Sequence, residues 1–302
     1  MQLNQYRSRN QTLIGSAMVL SAAAGFGTLA IFGKLAAEVG MPISTLLFFR
    51  FVVATATLWS VLPLVNNYIL PSGKEFWFAL GIGLIYGVMT LLFFWGLTFI
   101  TAGLAAIVFY TYPVHVFVIS ATLLDEPVTR TKFVALAFGI VGMLVILGGN
   151  TEAINPIGVG LVLLAALCYA IYSTGSRAAL QQVDTGTFTA TAMIATLVSM
   201  LPYWISSGNL AFPISGYSWS LIVGIGTIGT AVPIVLYVGG LNRIEATHAS
   251  VIGTSEPVLT VLLGLVLLGE AVTLRVFVGG FIVLVGVLII QFDSRPSGMV
   301  TH

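Results

Sequence analysis

Few residues of this chain could do chemistry, and each can be taken in turn. Only 7% of the 302 residues are charged, and several of those stand inside long apolar runs. Glu256 precedes Pro257 in the run 246–268. A carboxyl there could bind a substrate amine or carry a proton. It could equally stay protonated and hydrogen-bond the backbone of a neighbouring helix. Pro257 withholds one backbone donor, so a carbonyl is freed for another partner. Arg50 stands several residues inside the run 44–65. Its planar fork could hold a substrate carboxylate, or it could extend to the surface or pair with Glu38. His115, two residues past Pro113, and His248 could relay protons, although packing with one satisfied hydrogen bond is the commoner use of such a histidine.

The aromatic residues form a larger set. Tyr86, Trp95, Tyr110 and Tyr112 fall in the runs 75–98 and 101–123, and Tyr169, Tyr172 and Tyr237 fall later. A buried tyrosine offers an apolar face and a polar tip. A ring of them suits an apolar or aromatic ligand held by stacking with few charges. Membrane proteins also place Tyr and Trp at their two interfaces as anchors, and Trp59, Trp77, Trp204 and Trp219 read as such anchors. Tyr110 and Tyr112, in mid-run beside a proline, do not. The candidate substrate-binding residues are Tyr86, Trp95, Tyr110, Tyr112, Tyr169, Tyr237, Arg50 and Glu256. The candidates for proton coupling are Glu256, His115 and His248.

Other chemistries find no support. No His, Asp or Glu cluster has metal-ligand spacing, and the single cysteine, Cys168, excludes a disulfide or a Cys-rich metal site. Gly27 to Lys34 resembles a phosphate loop only superficially, because Leu35 stands where Ser or Thr is needed. No nucleophile elbow is present. The reading is therefore of a protein without catalytic residues, metal or cofactor, and not of an enzyme. A net charge of +1 with no basic run points away from nucleic acid.

The elements that must position these residues are membrane helices. Hydrophobic residues make up 58% of the chain, whereas a soluble domain carries roughly 25% charged residues. Lipid must be the solvent for most of it. Apolar runs long enough to span lie near 12–36, 44–65, 75–98, 101–123, 130–148, 156–178, 186–206, 216–241, 246–268 and 272–291. The connections between 75–98 and 101–123, and between 216–241 and 246–268, are short enough for tight hairpins. Asn66-Asn67 and Gly149-Asn150-Thr151-Glu152 are among the few polar pieces left between spans. With a cytoplasmic N-terminus the inner side carries Arg7, Arg9, Lys74, Arg130, Lys132, Arg177, Arg243 and Arg295, and the outer side only Lys34 and Arg275. That skew predicts both termini inside. Reading residues 1–24 as a cleaved signal would leave nine spans and break the repeat described next.

The halves 1–148 and 149–302 match at an offset of 143–144 residues. Ile14-Gly15 recurs as Ile157-Gly158, Gly81-Ile82-Gly83 as Gly224-Ile225-Gly226, and Gly96-Leu97 as Gly240-Leu241. Leu123-Leu124-Asp125-Glu126-Pro127-Val128-Thr129 recurs as Leu267-Leu268-Gly269-Glu270-Ala271-Val272-Thr273. Each half holds five spans, an odd number, so the second must enter the membrane from the opposite side. The expected fold is an all-α membrane protein of ten transmembrane helices in two inverted five-helix repeats, a design common among secondary transporters. His115 and His248 do not occupy equivalent positions in it, which weakens a relay between them.

In these markers the chain resembles the drug/metabolite transporter superfamily, in its EamA-type ten-span branch, over roughly 12–291. The resemblance rests on Glu256-Pro257 and on the turns Asp125-Glu126-Pro127-Val128-Thr129 and Gly269-Glu270-Ala271-Val272-Thr273. The first half departs from the pattern, with Tyr112-Pro113 where Glu-Pro would stand. In size and layout the chain looks most like the aromatic amino-acid exporters. The resemblance implies export of small metabolites across a bacterial inner membrane by alternating access through a midplane cavity. Amino acids are favoured, aromatic ones first. Drugs or purines are the alternative substrates, and a membrane protein that transports nothing is a further one. The fifth and tenth spans would stand apart from the substrate path. The implied partners are the lipid bilayer and a small substrate, with the chain a monomer or weak oligomer.

Overall fold

The computed structural model describes residues 2–65, 72–147, 155–207, 212–213, 215–269 and 273–291. Asn66-Asn67, Gly149 to Glu152, Glu270-Ala271-Val272 and Arg295 lie outside the described residues, as do the side chains of Arg7 and Arg9.

Lipid offers no partner to a backbone N–H or C=O, so each apolar run satisfies its own as a helix. The helices are α1 Gln2–Glu38, α2 Ile43–Val65, α3 Lys74–Gly96, α4 Ala102–Phe109, α5 Tyr112–Leu123, α6 Arg130–Leu147 and α7 Pro156–Ala179. They continue with α8 Thr185–Ser206, α9 Gly216–Gly226, α10 Val232–Leu241, α11 Ala246–Gly253, α12 Glu256–Leu268 and α13 Leu274–Gln291. Local signals set their ends. Thr101, Asn155, Asp184 and Ser215 accept from first-turn N–H groups of α4, α7, α8 and α9. Asp125 after α5 and Gly269 after α12 take left-handed backbone, with φ of 51° and 66°. These residues are 144 apart, so the repeat reproduces the turn as well as its residues.

Among the described residues, eight helical stretches are long and apolar enough to cross a membrane. Three are composite. α4 and α5 form one stretch broken at Tyr110-Thr111, and α11 and α12 form one broken at Thr254-Ser255. α9 and α10 are joined by a π-helical turn, Thr227–Ala231. Each irregularity lies just before a proline (Pro113, Pro257 or Pro233), whose missing N–H interrupts the helical hydrogen-bond ladder. The expected fifth and tenth spans correspond to α6 and α13, which run for 18 residues each up to the last described residue of their segment. Charges in their first turns, Arg130 and Lys132 in α6 and Arg275 in α13, shorten the apolar run.

Packing partners exchange between the halves. α3 packs on α7 and α8, while the stretch α9–α10 packs on α1 and α2. The stretch α4–α5 packs on α7, and α11–α12 packs on α1. α2 meets α8, and α6 meets α13. The matched glycines make equivalent contacts. A Cβ on Gly96 would lie 3.2 Å from the Gly158 carbonyl, and one on Gly240 would lie 3.0 Å from that of Gly15. Such small residues let helix backbones approach where lipid supplies no hydrophobic drive to associate. The short connections after α3 and α10 are present, but the helices they join barely touch each other. Each packs across the halves instead, so the expected tight hairpins are splayed ones.

Candidate functional site

The tyrosines converge where the two broken stretches meet their neighbours. Tyr112, at the start of α5, stands edge-on to Tyr169 of α7 with ring centroids 4.6 Å apart. Tyr86 of α3 lies 4.7 Å from Tyr172 of α7. Tyr169 also neighbours Tyr237 of α10 at 6.0 Å, and Tyr110 lies 6.0 Å from Tyr112. Phe109 lies 5.7 Å from both Tyr112 and Tyr169. The rings therefore form one continuous surface drawn from both halves. Their polar tips are engaged locally. The Tyr237 hydroxyl is 2.8 Å from Ser173 Oγ, and the Tyr112 hydroxyl donates to the Ser250 carbonyl at 3.3 Å. That last approach requires glycine at 253, because a Cβ there would collide with the Tyr112 hydroxyl.

The helix breaks put Glu256 at this surface. Thr254 and Ser255 close the end of α11 with turns back to Val251 and Ile252, and α12 restarts at Glu256-Pro257. Glu256 lies beside the Tyr110 phenol. Tyr112 and Glu256 are 144 residues apart, each is the first residue of the resumed helix, and each is followed by proline. The repeat thus sets one phenol against one carboxyl at equivalent breaks.

Arg50 approaches from α2. It is 6% exposed and forms no hydrogen bond or ion pair among the described residues, and its Nε is buried without an acceptor. It neither reaches the surface nor pairs with Glu38. Its guanidinium carbon sits 4.4 Å from the centroid of the Phe51 ring, and Phe51 is edge-on to Tyr86 at 6.1 Å. The attraction of a ring face recovers ~2 kcal/mol at best when desolvated. An uncompensated buried ion costs several kcal/mol, so the ring contact alone does not offset the burial of Arg50.

A second polar cluster, which the sequence reading did not single out, holds one end of the molecule shut. Glu126, in the turn after α5, caps the N-terminus of α11. Its carboxylate accepts from the Ala246 N–H at 2.7 Å, the Thr247 N–H at 3.2 Å and the Thr247 hydroxyl at 2.7 Å. Arg177 of α7 lies 3.5 Å from Glu126 and donates to the Leu241 and Ile244 carbonyls at the end of α10. Lys132 of α6, 1% exposed, donates to the Pro127 carbonyl at 2.9 Å and lies 2.5 Å from Glu245. His248 Nδ1 is 3.0 Å from the same carboxylate oxygen. Burial alone would raise the Glu245 carboxyl. The close approach of His248 and Lys132, with the Lys132 charge, outweighs burial and holds it at about 2. α5 packs on α11 at this end, whereas α4 and α12, the other halves of the same stretches, do not pack on each other.

Not every candidate joins the ring. Trp95 is 59% exposed. It lies nine residues from Tyr86 on α3, which at about 3.6 residues per turn is half a turn out of phase. It shares its face with Trp77, Leu84 and Val88, all exposed. His248 belongs to the closed end, and His115 on α5 has a buried Nδ1 without a partner, so the structure does not bring the two histidines together in one network with Glu256. Trp204, expected as an interfacial anchor, is only 9% exposed and stacks on Phe48 at 4.5 Å. Phe51, Phe109 and Ser173 complete the aromatic surface without a sequence signal of their own, since each is one more residue in an apolar run.

A profile of the EamA-like transporter family matches residues 13–148 and again residues 156–292. An uncharacterized transporter of Archaeoglobus fulgidus is 30% identical over 246 residues, covering 80% of this chain and 86% of its own length. The uncharacterized transporter YcbK of Bacillus subtilis is 28% identical over 279 residues, covering 88% of each chain. The uncharacterized inner membrane transporter YicL of Salmonella typhimurium is 27% identical over 164 residues, 53% of this chain and 54% of that protein. A crystal structure at 22% identity shares the fold, with a TM-score of 0.80 over 93% of this chain and 96% of the other. With two profile matches spanning almost all of its length, the chain belongs to the EamA-like transporter family and is a multi-pass membrane protein of that transporter class.

Proposed function

We propose that this protein is a secondary transporter that exports small metabolites, aromatic amino acids first among them, from a bacterial cytoplasm. The observation that carries the reading is the buried ring surface, built from both halves and bordered by Glu256 and Arg50. Stacking on tyrosines suits an aromatic side chain, and the two ionisable groups suit the polar end of an amino acid or a coupled proton. Tyr110, Tyr112, Tyr169, Tyr237 and Tyr86 form the substrate surface in this reading.

Alternating access is the mechanism proposed. The chain forms ten spans in two inverted repeats, 1–148 and 149–302, with α6 and α13 as the fifth and tenth. The exchange of packing partners between the halves and the paired breaks at Tyr110-Thr111 and Thr254-Ser255 support it. Both termini face the cytoplasm, so the end clamped by Glu126 is the inner one. The conformation described is then closed inward and splayed outward.

Purified protein in proteoliposomes should take up L-phenylalanine or L-tryptophan saturably, each competing with the other. Uptake competed by adenine but not by amino acids would move the substrate to purines. A broad amino-acid and drug panel that gives no flux at all would overturn the transport reading.

A further inference from the structure

Arg50 differs from the other buried cations of this molecule. Lys132 and Arg177 face carboxylates and backbone carbonyls. Arg50, 6% exposed, has neither among the described residues. A guanidinium carries five donors and no acceptor, in a plane that matches a carboxylate bidentately. The Phe51 ring lies 4.4 Å from the guanidinium carbon and supplies no oxygen acceptor to those donors. Phe51 leads directly to Tyr86 of the ring surface, edge-on at 6.1 Å. The ring surface is thus flanked by a fixed cation on the α2 side and a carboxyl on the α12 side. The backbone behind Arg50 is held close. A Cβ on Gly226, just before the π-helical turn, would come within 3.1 Å of the Arg50 carbonyl.

We propose that Arg50 is the anion subsite of the substrate path and binds the carboxylate of the substrate while its apolar part stacks on the tyrosines. The substrate class is therefore organic carboxylates, amino acids included. Amines, nucleobases and uncharged drugs, which bring no anion to Arg50, are poor ligands. This rests on the transport reading above and narrows it.

The test is a ladder of ligands on the full-length wild-type protein in proteoliposomes. L-Phenylalanine and 3-phenylpropionate keep the carboxylate, whereas phenethylamine and L-phenylalaninamide lack it. The first two should compete for labelled L-phenylalanine uptake at least tenfold better than the last two. In Arg50→Gln that discrimination should collapse to within about twofold, with Arg50→Lys intermediate, in preparations shown to be monodisperse. Because the wild-type ladder needs no variant, a variant that fails to fold leaves the inference testable.

Equal competition by phenethylamine and L-phenylalanine in the wild type would overturn the Arg50 assignment while leaving transport standing. So would an Arg50→Gln protein with the wild-type ladder. If L-phenylalanine does not bind, but L-alanine, L-lactate or benzoate binds in an Arg50-dependent way, the aromatic reading falls and the Arg50 assignment stands. Folded wild-type protein that binds none of these carboxylates would overturn the assignment.

Discussion

At Glu256 the repeat departs from itself, and the departure is chemical. Its mate, Tyr112, is a phenol whose hydroxyl is committed to the Ser250 carbonyl. Glu256 instead lies beside the Tyr110 phenol, and its carboxyl can take a proton or a ligand. In the proposed mechanism this residue couples flux to a proton gradient. Glu256→Gln keeps the shape and removes the charge. It should lower gradient-driven L-phenylalanine flux at least tenfold while retaining exchange between equal pools of substrate, measured in the same vesicles. Unchanged acceleration by the gradient would remove Glu256 from coupling. The sequence exposed this residue because an acid before a proline in an apolar run is costly anywhere in lipid. It could not show that Trp95 turns away from the ring. In a run that is apolar on every side, hydropathy carries no azimuth, and only packing decides which face meets protein.

Among the elements, the corner between α10 and α11 is where the halves are pinned. Glu126 satisfies N-terminal donors of α11, and Arg177 satisfies C-terminal carbonyls of α10, each charge complementing the dipole end it meets. Breaking a buried ion pair from one side costs about 3–5 kcal/mol, whereas replacing both partners by apolar groups is often neutral. Lys132→Met should therefore lower the thermal unfolding temperature in detergent, and Lys132→Met with Glu245→Leu should recover most of the loss. A double variant no better than the single one would show that Glu245 is not the partner that matters. The pH dependence has a definite sign. The Glu245 carboxyl is depressed to about 2, so its contribution is complete above the ordinary carboxylate value of 4.5 and is lost only as pH falls through about 2. Wild type and Glu245→Gln should then show parallel stability curves between about pH 5 and 8. This corner was hard to see in the sequence for a physical reason. Lys132 and Arg177 stand at the ends of apolar runs, where a basic residue also serves as an inside marker, and the two roles leave the same trace.

Over the whole molecule, the helices were legible from apolar run length, and much of the packing from the matched glycines. Gly15 and Gly158, paired in sequence, meet Gly240 and Gly96 in space. The splaying of consecutive helices was not legible, because a short connection constrains the ends of two helices and not the angle between them. Orientation can be checked directly. With Cys168 replaced by Ser, a cysteine at Asn155 should react with an impermeant maleimide from outside intact cells. Labelling only after permeabilisation would reverse the proposed topology, and with it the side on which the clamp lies. One pair of this clamp, Lys132 with Glu245, has a further consequence, because its charges are not repeated. The positions 144 residues from Lys132 and Glu245 hold Val276 and Thr101, which cannot form an ion pair. Two perfectly matched halves would give inward- and outward-facing forms of equal free energy, each half populated. A one-sided ion pair makes those populations unequal even in an empty carrier, and every ~1.4 kcal/mol of imbalance skews them tenfold. In the proposed topology and mechanism this pair favours the outward-facing form of the unloaded protein, and returning to collect cargo from the cytoplasm becomes the step that must be driven.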